Sequence, residues 1–131
     1  MRPGCAKTRD EIIELAGLLL GELLRVVPLG WRLFRVRGAS MEPTLSEGDW
    51  ILARSAPGYE PGVGDLVVAP DPSQPGRVLV KRIRSMGDST VALASDNPFE
   101  GRDSRHFGSL PKSELIGMVV RAGSRLERRW P

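Results

Sequence analysis

Cysteine and histidine are almost missing from this chain of 131 residues, which has one of each, Cys5 and His106. A lone cysteine excludes an internal disulfide, and one cysteine with one histidine cannot assemble a zinc cluster. No structural metal site is therefore expected. Any serine-histidine-aspartate triad would have to use His106, which reads instead as a surface or packing residue. Aromatic residues are also few, at 5% of the chain. The formal net charge of +3 rests mostly on scattered arginines without aromatics between them. That pattern describes a solvated surface and not a groove for bases, so no nucleic-acid partner is expected. Lysine occurs only at Lys7, Lys81 and Lys112.

A long uninterrupted apolar run is lacking as well. The segment "RDEIIELAGLLLGELLRVVPLGW" is broken by Glu14 and Glu22 and is followed by no small-residue cleavage site. It therefore fits neither a spanning helix nor a signal peptide. At about 100° per residue, Glu11, Glu14, Glu22 and Arg25 share one side and the leucines and isoleucines spread over the rest, which predicts an amphipathic helix ended by Pro28. Its apolar face needs a cover: the same domain, a second subunit or a membrane surface. The glutamates on its polar face stand where interfacial helices carry lysine and arginine. A cytoplasmic protein is the expectation, with peripheral membrane contact through residues 11–27 as the alternative.

What is present is ordinary for a globular protein: 40% hydrophobic and 27% charged residues, in a length suited to one domain. After residue 30 the chain turns to short β-rich runs: "WILARS" (50–55), "DLVVAP" (65–70), "RVLVKRIR" (77–84), "TVALAS" (90–95) and "IGMVVRA" (116–122), with "RLFRVRG" (32–38) as a weaker sixth. The segments "APGYEPGVG" and "PDPSQPG" between them are turn chemistry. The predicted fold is mainly β, a small antiparallel sheet or barrel with one N-terminal amphipathic helix. Residues 1–30 form the helical segment and 31–131 the β domain, within one unit.

A serine is a nucleophile only when a base takes its proton, and besides histidine the usual base is a neutral lysine. In "RVLVKRIR" strand alternation sets Leu79, Lys81 and Ile83 on one face. A lysine buried there can lose up to about 3 to 5 units of pKa and act as a base near neutral pH. The alternative is an edge lysine whose amine reaches water. The serine within "RGASMEPTLSEGDW", Ser40, likewise reads either as a nucleophile or as a hydroxyl in a turn.

Taken together, "GASMEPTL" with "EGDWILAR", then "VKRI", then "SDNPFEGRDSRHFG" resemble, in order, the boxes of the type I signal peptidase family of serine-lysine proteases. The resemblance spans roughly residues 34 to 122. It implies a signal peptidase or LexA-like β domain, with Ser40 as nucleophile, Lys81 as general base, and Gly38, Ala39, Met41 and Pro43 as the loop that presents the serine. It also implies that Asp96, Asn97, Asp103, Ser104 and Arg105 buttress the site, that an extended peptide is the substrate, and that no cofactor is needed. Asp103 and Arg105 would form either a buried pair or a solvated one. Within the family, the compact chain and its C-terminal half are most similar to the small proteases that mature nickel-type superoxide dismutase, which implies a dismutase precursor as substrate. A general signal peptidase cleaving exported preproteins is the alternative. A LexA-type self-cleaving repressor would need a DNA-binding domain that about thirty leading residues cannot supply. Two departures stand out: Gly38 occupies the place of an oxyanion-binding hydroxyl in some members, leaving main-chain donors such as the Ser40 amide. Gly101 occupies that of a serine that touches the lysine.

Overall fold

In this computed structural model the chain is described over residues 12–14, 30–55 and 60–123. The β-branched and aromatic runs become strands: β1 (Ile12–Glu14), β2 (Trp31–Val36), β3 (Trp50–Arg54), β4 (Leu66–Pro70), β5 (Val78–Met86), β6 (Thr90–Ala94), β7 (Leu110–Pro111) and β8 (Gly117–Gly123). They form one antiparallel sheet in the order β1-β2-β3-β8-β4-β5-β6-β7. The strand β1 also pairs with β5, Ile12 lying opposite both Val36 and Val78. That second pairing closes six strands into a ring, β1-β2-β3-β8-β4-β5, from which β6 and β7 extend.

The mainly β antiparallel fold agrees with the sequence reading, and the predicted strands lie within two residues of their expected ends. One expectation is corrected. Ile12–Glu14, assigned to the amphipathic helix, is a strand paired with β2. Two adjacent isoleucines favour extended backbone, and the open edge of β2 offers ladder hydrogen bonds that local helical periodicity cannot match. The remainder of the predicted helix, with Pro28, lies outside the described residues.

Residues on both sides of the sheet are buried. One cluster gathers Phe34, Val36, Ile51, Ala53, Val68 and Val80 from four strands of the ring, with Met41 and Leu45 from the β2–β3 loop. The other gathers Val67, Ala69, Ile83, Val91, Leu93 and Leu110, and is flanked by Phe107 and Leu115. Strand β5 serves both. Its first half, Val78–Arg82, pairs with β4, and from Arg82 onward it pairs with β6 through a register shift between Ile83 and Ser85. Lys81 sits where one partner gives way to the other.

Candidate active site

Ser40 lies in the turn between β2 and β3. Two backbone bonds close the base of this loop, Val36 N–H to the Asp49 carbonyl at 2.8 Å and Gly48 N–H to the Val36 carbonyl at 2.9 Å. Within it, one helical turn from the Met41 carbonyl to the Leu45 N–H, 2.9 Å, sets Met41 and Leu45 on one side. Both side chains sink into the core, at 1% and 2% exposure, and anchor the loop. The Glu42–Pro43 peptide bond is cis. Ser40 itself is 4% exposed.

Lys81 is fully buried, at 0% exposure. It lies opposite Val67 across the β4–β5 ladder, so its side chain shares the Val67 face, as strand alternation predicts. The alternative of an edge lysine reaching water is thereby excluded. Its amine donates a 2.9 Å hydrogen bond to Ser95 Oγ at the end of β6.

The segment Ser95–Asn97 joins the two halves of the site. Ser95 holds the Lys81 amine. Two residues on, the Asn97 N–H donates to the Ser40 carbonyl at 2.8 Å, and Asn97 Nδ2 donates to the Ala39 carbonyl at 3.2 Å. Between them the Asp96 N–H points at Met41 Sδ, 3.4 Å away. Ser40 and Lys81, far apart along the chain, thus share one short strip of backbone.

Asp96 fastens the same strip to its surroundings. Arg82 grips the carboxylate with two bonds, Nε to Oδ1 at 2.8 Å and Nη2 to Oδ2 at 2.6 Å, while Thr44 Oγ1 donates to Oδ2 at 2.5 Å. The Arg82 hydrogen bonds hold Asp96 below the usual carboxylate range, against the opposing effect of burial and with help from Thr44. The contact ties β5 to the Ser40 loop.

Asp103 supports the strip from behind. Its carboxylate, 1% exposed, accepts the Ser95 N–H at 2.8 Å on one oxygen and the Arg105 N–H and Nε at 3.0 and 2.9 Å on the other. Burial pushes its pKa up, but the Arg105 side chain and the two backbone donors outweigh burial and hold it down. The pair is one-sided: the Asp103 side chain is 2% exposed and that of Arg105 44%. Asp103 also caps the short helix Ser104–Phe107, where His106 Nδ1 accepts the Asp103 N–H at 3.3 Å. Ser104 Oγ accepts the Leu93 N–H at 2.7 Å and pins β6. In this structure Asp103 and Ser104 thus bind the backbone of β6 and of the residue after it, and His106 is part of a helix cap.

Both glycine departures lie in left-handed backbone. Gly38 has φ +88° and Gly101 φ +81°, a left-handed region where a side chain with a Cβ is strained. Three residues escaped the sequence reading: Ser95, Arg82 and Thr44. Ser95 is the first residue of "SDNPFEGRDS", but its closeness to Lys81 follows from the β5–β6 register, Arg82 opposite Ala94.

The profile of the family described as signal peptidase, peptidase S26, matches residues 10–97, a span that includes Ser40, Lys81 and Ser95–Asn97. Among characterised proteins, the chain is 34% identical to the mitochondrial ATP-independent inner membrane protease subunit 1a of Arabidopsis thaliana, covering 73% of this chain and 68% of that protein. It is 27% identical to the mitochondrial inner membrane protease subunit 1 of Mus musculus, with 63% of each chain covered. With its β domain and these ordered matches, the chain belongs to the signal peptidase family, peptidase S26.

Proposed function

We propose that the chain is a serine endopeptidase in which Ser40 is the nucleophile and Lys81 the general base. The observation that carries this reading is the Ser95–Asn97 strip, which binds the Lys81 amine at one end and the Ser40 carbonyl at the other. Complete burial disfavours the ammonium form of Lys81 and supports its action as a neutral amine. Lys81 takes the Ser40 proton as Oγ attacks the scissile carbonyl, and main-chain N–H donors hold the oxyanion. The amine leaves with a proton from Lys81, and a water activated by Lys81 hydrolyses the ester. The substrate is an extended peptide read through its backbone.

Two substrate classes are supported by different observations. The relatives are named as inner membrane proteases, which favours an exported or membrane-presented preprotein. Among the described residues no helix is long and apolar enough to cross a membrane. The direct β5–β6 hairpin, with only Gly87–Ser89 between the strands, favours the compact proteases that process a nickel superoxide dismutase precursor. Incubating the full chain with an exported preprotein and with a dismutase precursor discriminates the two, and cleavage of neither refutes the protease reading. Ser40→Ala and Lys81→Ala are each expected to lower kcat by at least about a thousandfold. Processing at the wild-type rate by either variant would eliminate the dyad.

A further inference from the structure

Gly101 leaves the place of the family's lysine-touching serine without a hydroxyl, and its φ of +81° disfavours any residue that would restore one. The Lys81 amine nonetheless has a hydroxyl partner. Ser95 Oγ lies 2.9 Å from Nζ, and it arrives from a different part of the box, earlier in the chain and directly after β6.

We propose that Ser95 is the positioning residue of the base, a hydroxyl relocated from the Gly101 position to the end of β6. The inference rests on the serine-lysine reading above. A neutral lysine amine has two N–H bonds and one lone pair and rotates freely about its last carbon. An acceptor 2.9 Å away takes one N–H and fixes that rotation, so the lone pair is directed away from Ser95 and is available to another proton. The hydroxyl can act in this way only if its own carbon is held, and three contacts hold it. The Ser95 N–H is bound by the buried Asp103 carboxylate at 2.8 Å. The next residue, Asp96, is gripped by Arg82 from β5. The one after, Asn97, is bonded to the nucleophile loop. The acceptor is therefore fixed relative to Lys81 and Ser40 together.

The contact also has a sign in pH. Ser95 Oγ accepts from the ammonium as well as from the amine, and an acceptor favours the charged form. Removing it makes Lys81 easier to deprotonate while leaving its lone pair poorly aimed. Ser95→Ala is thus expected to lower kcat about 10- to 100-fold with KM within about twofold, and to move the acidic limb of the kcat profile to lower pH. Ser95→Thr, which keeps a hydroxyl on the same carbon, is expected to recover most of the rate and the wild-type limb. The assay uses full-length protein and whichever of the two precursors it cleaves, with Ser40→Ala as the reference. If Ser40→Ala still cleaves, the dyad reading fails and takes this inference with it. If Ser40→Ala is inactive while Ser95→Ala retains the wild-type kcat and acidic limb, this inference alone fails. A loss in Ser95→Ala that leaves the limb unmoved, or that Ser95→Thr does not repair, makes Ser95 a merely structural residue and overturns it as well.

Discussion

Asp96 illustrates how single polar residues hold this site. Its carboxylate joins Arg82 on β5 to Thr44 on the Ser40 loop, with side chains 35% exposed for Arg82 and 15% for Asp96. Because its folded pKa is depressed, the stabilisation is complete above the unfolded carboxylate value, about 3.9, and is lost as pH falls through the lower folded value. Asp96→Asn should therefore cost about 1 kcal/mol at pH 7, the arginine being accessible enough for water to replace much of the contact. The cost should begin to shrink once pH falls below the unfolded carboxylate value and should vanish only below the lower folded one. Urea unfolding of both proteins at pH 7 and pH 3 checks this, and an equal difference at the two pH values sinks it. The positions of Gly38 and Gly101 belong to the same scale: both lie in left-handed backbone, where a hydroxyl-bearing side chain would be strained.

Among the elements, the Ser40 loop is held by packing more than by its turn chemistry. Met41 and Leu45 reach the ring core from one helical turn, so the residue beside Ser40 is also a core residue. Met41→Ala is expected to destabilise the protein by about 2 to 5 kcal/mol and to lower activity in step, measured by denaturant unfolding and cleavage rate. Full stability in this variant would show that the loop does not depend on the anchor. Strand β8 depends on a close approach: a Cβ at Gly117 would lie 3.0 Å from the Arg54 carbonyl oxygen and 3.3 Å from Ala53 Cβ on β3. Gly117→Ala should push β3 and β8 apart and cost about 1 to 3 kcal/mol, seen as a lower denaturation midpoint with an unchanged slope.

At the scale of the whole molecule, closure of the ring depends on its shortest strand. Ile12 pairs with both β2 and β5, so β1 covers edges that would otherwise be open. Deleting residues 1–14 should lower stability and raise amide exchange in β2 around Phe34–Val36, read by hydrogen exchange mass spectrometry. Unchanged protection there would mean that the ring does not need β1. Locally, the isoleucine pair reads as part of a 3.6-residue pattern, and the strand exists because two distant edges are available to it. Leu110–Pro111 is a comparable case: two residues carry no period, and they become β7 by pairing with Thr90 and Val91.

The sequence by itself determined the strand-rich class, the face of β5 on which Lys81 lies, and the order of the family boxes, because these depend on local propensity, two-residue alternation and ordered motifs. Tertiary structure alone decided that Lys81 is fully buried and that Ser95 is its partner. It also decided that Ile12–Glu14 pairs as a strand. Each of these follows from strand register and chain closure, which bring together residues that no local pattern relates.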